Sequence, residues 1–105
     1  MISYDISIYE DNSTNLKSDY VEVPIKKVVK PTLADFARSK KYPACVQKEL
    51  KELEGKEILE RGDPIIPPWS FERNGKFFIV YGHEQYYAVL ASGEKNIILH
   101  CAIKK

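Results

Sequence analysis

The stretch FFIVYGHEQYYAVLAS, residues 77–92, constrains this chain more than any other. Five apolar residues, Phe77 to Tyr81, run into Gly82; a polar triplet, His83-Glu84-Gln85, then precedes Tyr86, Tyr87, Ala88, Val89 and Leu90. The first half reads as a buried strand and the second as an amphipathic helix over 83–92, closed by Gly93. A strand that turns at a glycine into a helix aims the helix's first unbonded N–H groups at the turn, where an anion or polar ligand is favoured. A functional site is therefore expected first at Gly82, His83, Glu84 and Gln85.

The remaining totals bound the class. A chain of 105 residues is expected to form one domain, 1–105, with a core that needs no staples. A net charge of +1 argues against a protein that coats nucleic acid by bulk charge. It leaves room for a local groove lined by Lys26, Lys27, Lys30, Arg38, Lys40 and Lys41, although charge runs are more often a solvated face. Polar and acidic residues follow Met1 closely and no apolar run approaches a membrane span, so no signal peptide, no membrane partner and a cytoplasmic location are expected. Cys45 and Cys101 have no CxxC spacing, and each sits in an apolar context, as a packing thiol would.

In chain order, 2–9 reads as a strand, 10–19 as a polar loop and 20–29 as a second strand that Pro24 makes irregular. Thr32 is placed to cap a short helix over 33–39. Pro43 starts a longer helix with Val46, Leu50 and Leu53 as its core-facing stripe, and Gly55 as its stop; 56–62 adds a separate helical turn. Strands follow at 65–72, 77–81 and 96–103, the first two joined by a tight Asn74-Gly75 hairpin. Tyr86, Val89 and Leu90 belong to the core, Tyr87 packs, and Gln85 faces solvent. Trp69 is balanced between core and exposed platform. The predicted class is α/β (α+β), a mixed sheet of about five strands with three or so helices.

Three stretches taken together resemble the ParB/sulfiredoxin superfamily, specifically the ParB-like N-terminal domain often labelled a ParB-like nuclease. They are the opening VEVPIKKVVKP (residues 21–31), the segment Gly62-Asp63-Pro64-Ile65-Ile66, and the strand entering Gly82-His83-Glu84-Gln85. The resemblance covers about 20–103. It implies a Gly-x-x-Arg box that starts a helix and contacts phosphate, with binding of a nucleotide or DNA. Two departures qualify it. Gln85 stands where the family carries arginine, replacing a bidentate charged fork with one neutral amide. His83 stands where sulfiredoxins carry their catalytic cysteine, so sulfiredoxin chemistry is not expected. Partition proteins of this family also carry downstream domains, so a chain ending at Lys105 is not expected to be a complete one.

Three functional readings follow. The first is a module binding nucleic acid or a nucleotide at the turn, through Gly82, His83, Glu84 and Gln85, with Lys40, Lys41 or Arg73 supplying charge. The second is a nuclease with His83 or Glu84 as catalytic base, a divalent ion such as Mg²⁺, and Asp63 as the nearest further carboxylate. The third is a regulatory or binding module, a homodimer or a partner adaptor, that kept the fold and lost the phosphate site. No metal site is read from His83, His100 and Cys101, because His100 and Cys101 are strand neighbours that point to opposite faces.

Overall fold

The computed structural model describes residues 2–5, 19–37 and 41–101. Residues 1, 6–18, 38–40 and 102–105 lie outside it, and with them half of the first predicted strand, nearly all of the polar loop, Arg38, Lys40 and the end of the last strand. Among the described residues the chain forms four strands and two α-helices, not five and three. The strands are β1 (Asp19–Pro24), β2 (Trp69–Arg73), β3 (Lys76–Tyr81) and β4 (Asn96–Cys101). The helices are α1 (Ala44–Arg61) and α2 (His83–Ser92). The described part of the first predicted strand, residues 2–5, forms a bridge from Tyr4 to Ile65. The second ends at Pro24, which has no N–H for the ladder, and the chain tightens into a 3-10 turn, Ile25–Lys27.

The sheet order is β1-β4-β2-β3. β1 and β4 are antiparallel, β2 and β3 form an antiparallel hairpin, and a short parallel ladder (Trp69 to His100, Ser70 to Cys101) joins the two pairs. The hairpin turns where the sequence predicts, with Asn74 at φ 54° and Gly75 at φ 78°, the left-handed pair a tight two-residue loop requires. Ile79, Ile97 and Leu99 from the strands meet Tyr86, Ala88 and Val89 of α2 and Ile58 of α1 in one core cluster. Leu90, expected in the core, is exposed. Cys45, expected to pack, is exposed, whereas Cys101 packs against the core; neither forms a disulfide. No helix among the described residues is long and apolar enough to cross a membrane.

The central helix departs most from the sequence reading. It runs unbroken through Gly55 and ends at Gly62, whose φ of 71° and N–H bond to the Leu59 carbonyl (3.2 Å) close it, with the Asp63 N–H bonded back to Ile58 (3.1 Å). Gly55 is not a stop; it is the crossing point with α2. A Cβ there would lie 2.7 Å from the Tyr87 Cβ, 2.8 Å from the Ala88 nitrogen and 2.9 Å from the Glu84 carbonyl oxygen. The face that packs on α2 therefore carries Lys48, Lys51, Gly55 and Ile58. The lysine stems lie along it, with Lys48 Nζ 6.0 Å from the Tyr87 ring centre and Lys51 Nζ 3.5 Å from Glu84 Oε1. The predicted core stripe is turned outward: Val46 and Leu53 are exposed and Leu50 is half-buried.

Candidate functional site

β3 delivers the chain to Gly82 at one edge of the sheet, and α2 starts at His83 as expected. Gly82 has φ +86°, a left-handed value that suits glycine. A Cβ on Gly82 would also come within 3.2 Å of the Pro68 Cα. Buried Pro68 thus lies against the turn. The Gly82 carbonyl accepts from the N–H groups of Gln85 (2.9 Å) and Tyr86 (3.1 Å). The amides of His83 and Glu84 precede these bonds, in the positions that make a helix start attractive to an anion.

The triplet divides into three roles. Gln85 does not face solvent: it is 9% exposed, its Oε1 accepts the Ile66 N–H at 3.0 Å, and its Nε2 reaches Glu84 Oε2 at 3.5 Å. It ties the proline-rich segment 64–68 to the helix start. Glu84 sits in the first turn, where it complements the helix dipole, and faces Lys51 across the helix pair. His83 packs its ring on Phe36, with centroids 4.9 Å apart. One ring N–H donates to the Ile79 carbonyl, and Nε2 is buried with no partner among the described residues. Burial lowers the His83 pKa, against the opposing pull of Asp35 and Glu84. Tyr87, four residues on and on the same side of α2, has a buried hydroxyl without a partner among the described residues, and burial pushes its pKa up to about 12.

The second wall of the site comes from a segment the sequence reading did not assign to it. Thr32 precedes a 3-10 turn, Leu33–Phe36, and its N–H donates to Asp35 Oδ2 at 2.6 Å while the Asp35 N–H returns to the Thr32 carbonyl at 3.0 Å. This closed turn holds Phe36 and Asp35 beside β3. Between them lies an open cleft of about 490 Å³. Its apolar lining includes Phe36, Phe71, Ile79 and Tyr81, and its polar lining is Asp35, Gln47 and His83. Tyr81 is 70% exposed at the rim. Thr32 was legible as a cap; nothing local indicated that Gln47, in the first turn of another element, would reach the same cleft.

Of the residues expected to supply charge, the two that are described, Lys41 and Arg73, do not line this cleft. Lys41 is exposed, with Nζ 5.6 Å from the ring centre of its neighbour Tyr42. Arg73 lies over Phe71 (6.0 Å) at the tip of the hairpin, about 20 Å along β3 from Gly82 at ~3.3 Å per residue. Lys40 lies outside the described residues. Asp63 pairs with Arg61 at 2.9 Å, beyond the far end of α1. No group of three or more His, Cys, Asp or Glu side chains converges among the described residues, so a Mg²⁺ ion here would depend chiefly on oxygens brought by a phosphate ligand. His100 points away from the cleft: its ring lies against Trp69 (3.6 Å) and Tyr20 (5.6 Å), while Cys101 packs on the core side. Trp69 thus covers His100 and stays partly exposed.

The His83 environment has a consequence for stability. Its folded pKa lies below the ordinary histidine value of about 6.5. As pH falls through about 6.5 the unfolded chain takes up this proton first, so stability is full above that pH and declines as pH drops toward the folded value. Thermal unfolding followed between pH 8 and pH 5 is expected to show this acid-side decline, and His83→Leu is expected to flatten it. A slope equal in both proteins would remove His83 as its source.

The helix start, the flanking 3-10 turn and the four-stranded mixed sheet together define an α+β fold. The sequence matches no family model, and no curated protein is significantly similar to it. Among solved structures, the chain is similar to the C-terminally truncated chromosome-partitioning protein ParB from Caulobacter crescentus complexed with CTP-γ-S. That similarity has a TM-score of 0.51 and 20% identity, and covers 83% of this chain and 46% of the other. This chain thus spans less than half of that ParB chain. Sulfiredoxin from Arabidopsis thaliana aligns over 83% of this chain and 85% of its own at 22% identity, with a TM-score of 0.47. At 20% identity the likeness to the ParB chain shows a shared fold.

Proposed function

We propose that this chain is a nucleotide-binding module. The nucleoside is taken into the cleft between β3 and the 3-10 turn at 33–36, and the phosphates lie at the start of α2. The observation that carries this reading is the position of His83: it is the first residue of α2 and also a wall of the cleft. Phe36 and Tyr81 supply flat apolar surface for a base, and Asp35 and Gln47 supply polar edges. The amides of His83 and Glu84 supply donors for an anion. That the similar ParB was solved with a cytidine triphosphate analogue supports a nucleotide over a longer nucleic acid. Without an arginine at the fourth box position, phosphate is held by neutral amides, so affinity is expected near 0.1–1 mM, about 4–5.5 kcal/mol.

Amide and side-chain NMR shifts measured during titration with CTP, ATP and a short single-stranded DNA at low salt test this. Shifts at Gly82, His83, Ile79 and Tyr81 with a nucleotide are expected, and Tyr81→Ala should weaken them several-fold. No shift at the turn at several millimolar nucleotide would overturn the reading. A second reading, a module that keeps the fold without a phosphate site, is favoured by the capture of Gln85 by Ile66; it is the outcome if nucleotides leave the turn unmoved. The nuclease reading has the least support, because Glu84 and Asp63 are engaged with Lys51 and Arg61.

A further inference from the structure

Among the described residues, the apolar stripe of α1 faces away from α2, with Val46 and Leu53 exposed and Leu50 half-buried. Val46, Leu50 and Leu53 recur at intervals of four and three, one face of a helix. The face packed on α2 is instead the one carrying Lys48, Lys51, Gly55 and Ile58. Leu53 is 54% exposed and Val46 37%, and Tyr42, just ahead of the helix, is 40% exposed. Apolar residues scattered singly over a surface need no explanation, but a row at helical spacing on a helix's outer face marks an interaction surface.

We infer that this face of α1 pairs with the same face of a second copy of the chain, antiparallel across a two-fold axis. The sequence along the helix is self-complementary in that direction. The register that sets Val46 of one copy against Leu53 of the other places the axis beside Leu50, so both apolar pairs form at once. The same register sets Tyr42 against Glu57 and brings Lys41 to the end that carries Glu57 and Glu60. Glu57 also has Arg61 at 3.5 Å, an exposed contact that leaves its second oxygen available. Antiparallel helices in addition set the positive start of one against the negative end of the other. A parallel arrangement would put Lys41 beside Lys41 and Glu57 beside Glu57. The buried surface of one helix pair falls short of the 1,200–2,000 Å² or so of a tight complex, so the association is reversible, with a dissociation constant on the order of 100 µM.

Sedimentation equilibrium over a range from low micromolar to millimolar chain tests this. The average mass is expected to rise with concentration from 12.1 kDa toward twice that value. Leu53→Glu, at a site exposed in the single chain, is expected to keep its melting temperature and to weaken association at least about tenfold. Circular dichroism melts check that the fold is retained, and Val46→Glu provides the same test should Leu53→Glu fail to fold. For orientation, Lys41→Glu should weaken the dimer at low salt, and combining it with Glu57→Lys should restore it. A mass of 12.1 kDa up to millimolar concentration, or a dimer that survives both Leu53→Glu and Val46→Glu, would overturn the inference.

Discussion

Replacing Gly55 with alanine is expected to destabilise the chain by about 1–2 kcal/mol, even though alanine is the better helix former. Two effects compete. In the middle of a helix, glycine to alanine stabilises by about 1 kcal/mol through propensity alone. Against this stands the crossing with α2. The added methyl would lie within 3.0 Å of three atoms, and two of them, the Ala88 nitrogen and the Glu84 carbonyl oxygen, are backbone. Backbone atoms cannot rotate away, so the helices must separate. Separation loosens the contacts of Tyr87 and Ala88, which are buried, and of Ile58. Overpacking of this kind costs about 1–3 kcal/mol, and more when a helix must move. The steric effect wins. Urea unfolding with an unchanged m-value would give the difference directly. A Gly55→Ala protein as stable as the parent, or more so, would show that the helices do not cross this closely.

The second large effect concerns the box residue. Restoring the family's arginine with Gln85→Arg is expected to cost about 2–3 kcal/mol. Gln85 is buried and its Oε1 is the acceptor for the Ile66 N–H. Arginine has five donors and no acceptor. The Ile66 N–H would lose its partner, at about 1–2 kcal/mol for a partly buried amide. The guanidinium would either lose solvent or swing out and leave a void, for about a further 1 kcal/mol. Glu84 offers partial relief only, because Lys51 already shares it. Denaturant unfolding of Gln85→Arg beside Gln85→Leu separates the two contributions: both variants orphan Ile66, and only one adds charge. If Gln85→Arg were as stable as the parent while gaining nucleotide affinity a hundredfold, the position would be an unfilled phosphate grip and not a structural tie.

These two residues show where sequence reading succeeds and fails here. The helix at 83–92 and the hairpin at Asn74-Gly75 were legible, because each is fixed by local chemistry: a glycine with a left-handed φ and an uninterrupted apolar run. Gly55 was misread as a stop because the same residue suits a helix end and a close helix crossing, and only the presence of α2 distinguishes them. The outward stripe of Val46, Leu50 and Leu53 misled for a related reason. Hydrophobic periodicity identifies a face that wants cover without saying whether cover comes from the same chain. The face that does pack is built from a glycine, an isoleucine and lysine stems, which a hydrophobicity count passes over.

The candidate site divides in the same way. The sequence by itself determined the strand, the Gly82 turn and the helix start, since steric limits on φ and the unbonded amides of a first turn are local properties. It placed His83 at that start. Only the tertiary structure decided that Phe36, Asp35 and Gln47 would stand opposite His83, and that Lys41 and Arg73 would lie elsewhere. It also decided that Gln85 would be consumed by Ile66, nineteen residues away. Each of these depends on which segments the sheet order β1-β4-β2-β3 and the α1–α2 crossing bring together. Contacts between residues distant in sequence are set by the packing of whole elements, and no local pattern encodes them.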